Sequence, residues 1–306
     1  MPKRSSVTAE RLSQLTQKNA RYIISCNQND FGCKDHPNQK CRRGFFSLFL
    51  QVLYGIGFAQ KYETPYYVDL SNYVYAYSSP QDSRKRNNFW ESLFNQPLLK
   101  SSDKLILNQQ IEVFPLRIWD RNHYRFLNEI MKKGLDFNEV LTKEINEIKN
   151  RMSEVKTLGV HIRKTDHFRE FPPAGNAKFF RKIKKKFSTY DKIFVATDDQ
   201  QLLEKLKKEF SPKIMAHDFV RSQGAISIHN NETLKDGPRL AKEALLDCIS
   251  LSCCNELILS PSNLSYAALV FNPELKYSIV ESGAAKRSRI KTLTSYHLDR
   301  LGLRKW

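Results

Sequence analysis

Apolar positions along this chain recur in two ways. Short apolar runs bounded by polar, Gly or Pro residues read as buried strands, and apolar residues at steps of three and four read as helices packed on one side. Residues 1–20 are polar and read as a tail or a loosely docked helix. Arg21–Cys26 reads as a first strand, and a loop rich in Asn, Cys and Gly leads from it to Gly44. Phe45–Lys61 is apolar nearly all round and predicts a buried helix. Pro65 restarts the chain as a second strand, Tyr66–Asp69, which completes a βαβ unit. The polar, basic stretch Ser78–Asn88 reads as a surface loop. Two helices follow, the second with Phe137, Leu141, Ile145, Ile148 and Met152 in one stripe.

The second half repeats the rhythm more clearly. Strands are expected at Leu158–Arg163, Ile193–Thr197, Ile214–Ala216 and Leu257–Ser260. Helices are expected between and after them, at Ala177–Phe187, Gln200–Phe210, Pro238–Ser252 and Asn263–Val270. Strand and helix in strict alternation imply an α/β fold, a parallel sheet with helices on both faces. The break between halves is expected near Ser153–Thr157. That gives one Rossmann-like domain over 21–155 and another over 156–306, whose last helix could pack back on the first. Two such halves facing across a cleft would bind ligands at the carboxyl ends of their strands.

Composition narrows the class. Of 306 residues, 41% are apolar and 27% charged, which excludes collagen-like and wholly disordered chains. The longest apolar stretch, Phe45–Ala59, is interrupted and too short to span a bilayer. Polar sequence follows Met1–Ser6, so the expectation is a chain without a secretory leader, located in the cytoplasm. Fifty basic against 32 acidic side chains leave a net charge of +18, spread over both halves. Such a surface attracts polyanions: nucleic acid, nucleotide diphosphates, and acidic membranes, where peripheral association stays open. Cys26, Cys33, His36 and Cys41 raise the question of zinc, but their spacing lacks the paired knuckles of structural zinc sites, and no metal is expected.

Three segments fall at strand ends and carry chemistry. In His161-Ile162-Arg163-Lys164-Thr165-Asp166, a guanidinium at the sheet edge can grip a diphosphate through parallel hydrogen bonds, with Asp166 holding it in place. The bland alternative is a structural ion pair. In Ala196-Thr197-Asp198-Asp199, two acids at a strand end can orient a base or cap the next helix. The third runs from Asp247, able to accept the paired N–H donors of a guanine edge, to Ser260-Pro261-Ser262-Asn263, where a helix start offers an anion site. Phe89, Trp90, Phe94, Trp119 and Tyr124 either line an acceptor-sugar platform or, more commonly for such residues, fill a core.

In this order and at these intervals, the three segments resemble the motifs of the superfamily of α1,6-fucosyltransferases, nodulation-factor fucosyltransferases and protein O-fucosyltransferases. The resemblance covers roughly residues 158–270; the N-terminal half is similar only in pattern, through a strand, a loop ending at Gly44 and a long helix. It implies a GT-B fold, with the first domain on the acceptor side and the second binding the nucleotide sugar. The implied reaction is an inverting, metal-independent transfer of fucose from GDP-fucose to a glycan acceptor. Arg163 would bind the β-phosphate and stabilise departing GDP. His161 and Asp247 would hold the guanine, and Ser262 a phosphate oxygen, with Asn263, Lys164 and Gly44 also at the donor. Asp166, Asp198 and Asp199 would order Arg163 and the donor pocket. Lys164 stands where the family has a second arginine, keeping charge but losing the bidentate fork. Glu170 is the candidate general base and His167 the alternative.

Rival readings are a GT-B transferase using another nucleotide sugar, a basic α/β module binding nucleic acid, and a lectin-like relative without activity. Diffuse charge and the lack of a nucleic-acid-binding signature weigh against the second, and an intact Arg163 against the third.

Overall fold

In the computed structural model, residues 13–26, 41, 43–78, 88–107, 117–164, 174–224, 228, 231, 234 and 236–303 are described. They form two compact units, one of residues 1–138, 235–239 and 292–306 and the other of residues 139–234 and 240–291.

The first unit holds strands β1 (Ala20–Ile24), β2 (Tyr66–Val68), β3 (Phe94–Asn95), β4 (Lys104–Leu107) and β5 (Asp136–Phe137), with helices α1 (Phe45–Lys61) and α2 (Arg121–Gly134). β2, β1 and β4 form a parallel sheet in that order. α1 connects β1 to β2 and is buried along most of its length, as its largely apolar composition requires. Phe89, Trp90, Phe94 and Tyr124 are all buried, and Trp90 stacks on Phe94 with centroids 4.1 Å apart. These aromatics are core; an acceptor platform built from them is ruled out. Phe137, expected on a helix, instead pairs with Phe94 in the short antiparallel β3–β5 ladder, their rings 5.3 Å apart. The helix starts only at Glu139.

The second unit begins one helix earlier than the expected break. Helix α3 (Glu139–Ser153) belongs to it, burying Leu141, Ile145, Ile148 and Met152 and pairing Glu144 with Lys242 at 3.0 Å. Then come β6 (Thr157–Ile162), α4 (Asn176–Lys186), β7 (Lys192–Thr197), α5 (Gln200–Phe210), β8 (Ile214–Met215), α6 (Gly237–Ser252), β9 (Glu256–Leu259), α7 (Asn263–Phe271), β10 (Lys276–Ile279) and α8 (Gly283–Arg300). α8 ends in the first unit, where Tyr296 Oη lies 3.3 Å from His123 Nδ1.

The second sheet is wholly parallel, in the order β10-β9-β6-β7-β8. Counted from β6, this is the 3-2-1-4-5 order of a Rossmann sheet. The chain winds outward through β7 and β8, then returns to β9 on the other side of β6. Right-handed crossovers therefore put α4 and α5 on one face and α6 and α7 on the other. Side chains on β6 alternate accordingly. Leu158, Val160 and Ile162 pack with Phe179 and Ile183 of α4 and Leu202, Leu203 and Leu206 of α5, while His161 points to α7.

Gly159 shares that second face, and a Cβ there would collide with Leu257 and lie 2.9 Å from Cys254 Sγ. Both neighbours belong to a filled interior. Gly159→Ala should destabilise the fold by about 1–3 kcal/mol through overpacking, read as a lowered denaturant midpoint with unchanged slope.

Candidate functional site

The reversal of strand order between β6 and β9 leaves a crevice at their carboxyl ends, where open α/β sheets bind ligands. Two of the three chemistry-bearing segments leave the sheet there, and the third leaves from the neighbouring β7. Arg163 is the first residue beyond β6. Its backbone N–H donates to Ser260 Oγ across the crevice at 3.1 Å, and Ser260 N–H donates to His161 O at 2.9 Å. The two strand ends are thus laced together.

Asp198, at the end of β7, grips the first segment twice. Its Oδ2 lies 3.3 Å from Arg163 Nε, and its Oδ1 accepts the Lys164 N–H at 2.9 Å. Asp198 is buried, while the Arg163 side chain keeps 26% of its exposure. A buried carboxylate thus holds a guanidinium that stays partly exposed. Thr197 Oγ1 donates to Ile162 O at 2.8 Å and fixes the two strands in register. Asp199 does something different: its carboxylate accepts the Leu202 N–H at 2.9 Å as the N-cap of α5. The paired acids divide between orienting Arg163 and starting a helix.

At the end of β9, Ser262 is the N-cap of α7, its Oγ accepting the Ser265 N–H at 3.1 Å, and Asn263 is the first helical residue. The free N–H groups of this helix start give the crevice a positive pole. His161 is buried, with Nδ1 2.6 Å from Ser265 Oγ and 3.4 Å from Ser262 Oγ. The imidazole therefore props the helix start from inside the sheet. Ser265 was missed in the sequence, and Ser260, part of the third segment, was given no role there. The signal was present as a Ser-x-x-Ser helix start, but which strand it would meet depends on the order of the sheet.

Asp247 lies on α6, one residue before Cys248, whose thiol contacts Leu264 O in the first turn of α7 at 3.8 Å. Its Oδ1 is sealed from solvent and has no hydrogen-bond partner among the described residues. An orphaned acceptor of this kind is costly unless a ligand satisfies it. Burial pushes the carboxyl pKa up to about 7; nearby Arg221 pulls it down and Glu243 adds to the rise. Arg221 is fixed by donating to Phe219 O at 3.0 Å and His217 O at 2.6 Å.

Asp166, His167 and Glu170 lie outside the described residues, as do Cys33 and His36. Gly44 stands in the first unit as the N-cap of α1, with ordinary extended backbone angles. The described cysteines nearest it in sequence, Cys26 and Cys41, are buried with their thiols 3.8 Å apart.

No protein-family model matches the sequence, and no curated protein does. Solved structures do. A NodZ alpha-1,6-fucosyltransferase co-crystallized with GDP aligns at 14% identity over 83% of this chain and 93% of its own, with a TM-score of 0.50. A NodZ structure soaked with GDP-fucose aligns at 13% identity over the same shares, also with a TM-score of 0.50. Fucosyltransferase NodZ from Bradyrhizobium aligns at 15% identity over 83% and 94%, with a TM-score of 0.49. The chain has a fucosyltransferase-like α/β fold.

Proposed function

We propose that the chain is a glycosyltransferase of the fucosyltransferase type, moving fucose from GDP-fucose to a glycan hydroxyl with inversion and without a metal ion. The observation that carries this reading is Arg163, held by Asp198 at the switch point of a Rossmann sheet and laced through its backbone N–H to Ser260 at the end of β9. Breaking a sugar–phosphate bond builds positive charge on the sugar and negative charge on the diphosphate. A fixed guanidinium and helix-start N–H groups answer that negative charge where it develops, without reorganisation. Arg163 takes the β-phosphate, Ser262 and the α7 start a phosphate oxygen, and Asp247 the guanine N–H edge. Lys164 adds positive charge, and His161 sets the crevice floor. In this reading the fold is of the GT-B type, with the first unit presenting the acceptor and the second holding the donor. The base that deprotonates the acceptor is sought at Glu170, with His167 as the alternative.

Titration calorimetry with GDP, UDP and a short DNA duplex, all with a chelator present, tests the reading. GDP should bind at least about tenfold tighter than UDP, because uracil lacks the paired N–H edge that a buried carboxylate selects, and the chelator should not weaken it. Equal affinity for UDP would favour a transferase with another nucleotide donor. Preference for the duplex would favour the nucleic-acid module.

A further inference from the structure

One face of the second unit's sheet is strongly basic. Helices α4 and α5 together carry nine Lys or Arg and two acids. On the opposite face, α6 carries two basic and two acidic residues, and α7 carries none of either. The two acids of the basic face are already engaged, Glu209 with Lys184 at 2.5 Å and Glu204 with Lys207 at 3.0 Å. Lys178, Arg181, Lys182, Lys185, Lys205 and Lys208 have no acidic partner among the described residues. All but Lys182, which is half-buried, are exposed. This charge does not serve the candidate site, because His161 points through the sheet to α7 on the other face, where α6 carries Asp247.

Neighbouring helices of one orientation make this surface broad. Phe180 and Phe187, its aromatic residues, turn inward against Phe210, with ring centroids 5.5 and 5.9 Å from it. Eight of the nine cations are lysine. Lysine is a hydrated point charge suited to a diffuse anionic layer, whereas nucleic acid is typically gripped by arginine forks and stacked aromatics. We propose that the α4–α5 face docks the protein on an anionic lipid membrane, leaving the carboxyl-end crevice of the sheet unobstructed. Attraction adds with each lysine near a charged leaflet and falls off within a Debye length.

Vesicle flotation of the full chain tests this, using neutral phosphatidylcholine and the same lipid with about 30 mol% phosphatidylglycerol. The protein should float with the anionic vesicles alone and be released as salt rises from about 50 to about 500 mM. The triple change Lys178→Glu, Arg181→Glu and Lys185→Glu should weaken partition at least about tenfold. A control with the same charge change on α8 (Lys286→Glu, Arg287→Glu, Lys291→Glu) should retain it. Circular dichroism confirms that both triples remain folded. The proposal is overturned if wild type ignores anionic vesicles, or if both triples lose binding equally so that net charge alone matters. It is also overturned if a DNA duplex binds through the α4 residues and displaces the vesicles.

Discussion

Replacing Arg163 with alanine is expected to lower kcat by two to three orders of magnitude, about 3–4 kcal/mol of transition-state stabilisation. The guanidinium faces charge that grows as the sugar departs, so its removal should fall on kcat more than on the affinity for GDP-fucose. The fold should survive. The side chain keeps 26% exposure, and Asp198 retains the Lys164 N–H when the cation is gone. Arg163→Lys should be intermediate, since it keeps the charge but loses the planar fork. Steady-state kinetics with GDP-fucose, set beside a thermal melt of each variant, separates the two effects. A variant that folds and turns over at near-normal rate would show that Arg163 is only a structural ion pair.

The second large effect is expected at Asp247. Guanine offers two adjacent N–H donors, and an ionised carboxylate accepts both. Asp247→Asn replaces one acceptor with a donor, so GDP affinity should fall by about one to two orders of magnitude. Xanthosine diphosphate, which carries a carbonyl where guanine has its amino group, should bind the variant better than GDP does. A pH dependence accompanies this. The folded-state pKa is raised from 3.8 to about 7, so the apo protein holds the proton more tightly than the unfolded chain does. Stability from this group is fully present below the unfolded value and is lost as pH rises through about 7. GDP binding should strengthen over that upper range, because the ionised form is the acceptor. Calorimetry in buffers of different ionisation enthalpy should show proton release on GDP binding by wild type near neutral pH, in excess of that by the Asn variant. Equal proton release by the two proteins would detach Asp247 from the base.

Much of this arrangement was legible in the sequence, and the failures have physical causes. β6, β7 and β9 are short, mostly apolar runs, and their length and polar flanks mark them as strands buried on both faces. The order in which they pair is not a local property. It brings Ser260 to Arg163 and Ser265 to His161, so the residues that lace the crevice were invisible until the sheet was assembled. The stripe through Phe137 misled because a single aromatic at helical spacing also suits a two-residue ladder, and its partner Phe94 lies far away in sequence. The break between halves was placed one helix late because an amphipathic helix does not declare which neighbour its apolar face will meet. Asp198 and Asp199, read as one acidic pair, separate because successive side chains leave a strand end in different directions.

A structure of the protein with GDP bound addresses the central claim most directly. The diphosphate should lie at the carboxyl ends of β6 and β9, with the Arg163 guanidinium on the β-phosphate and Asp247 Oδ1 within hydrogen-bond distance of the guanine N–H edge. GDP seated elsewhere on the chain, with Arg163 still turned to Asp198 and Asp247 Oδ1 still unpartnered, would contradict it.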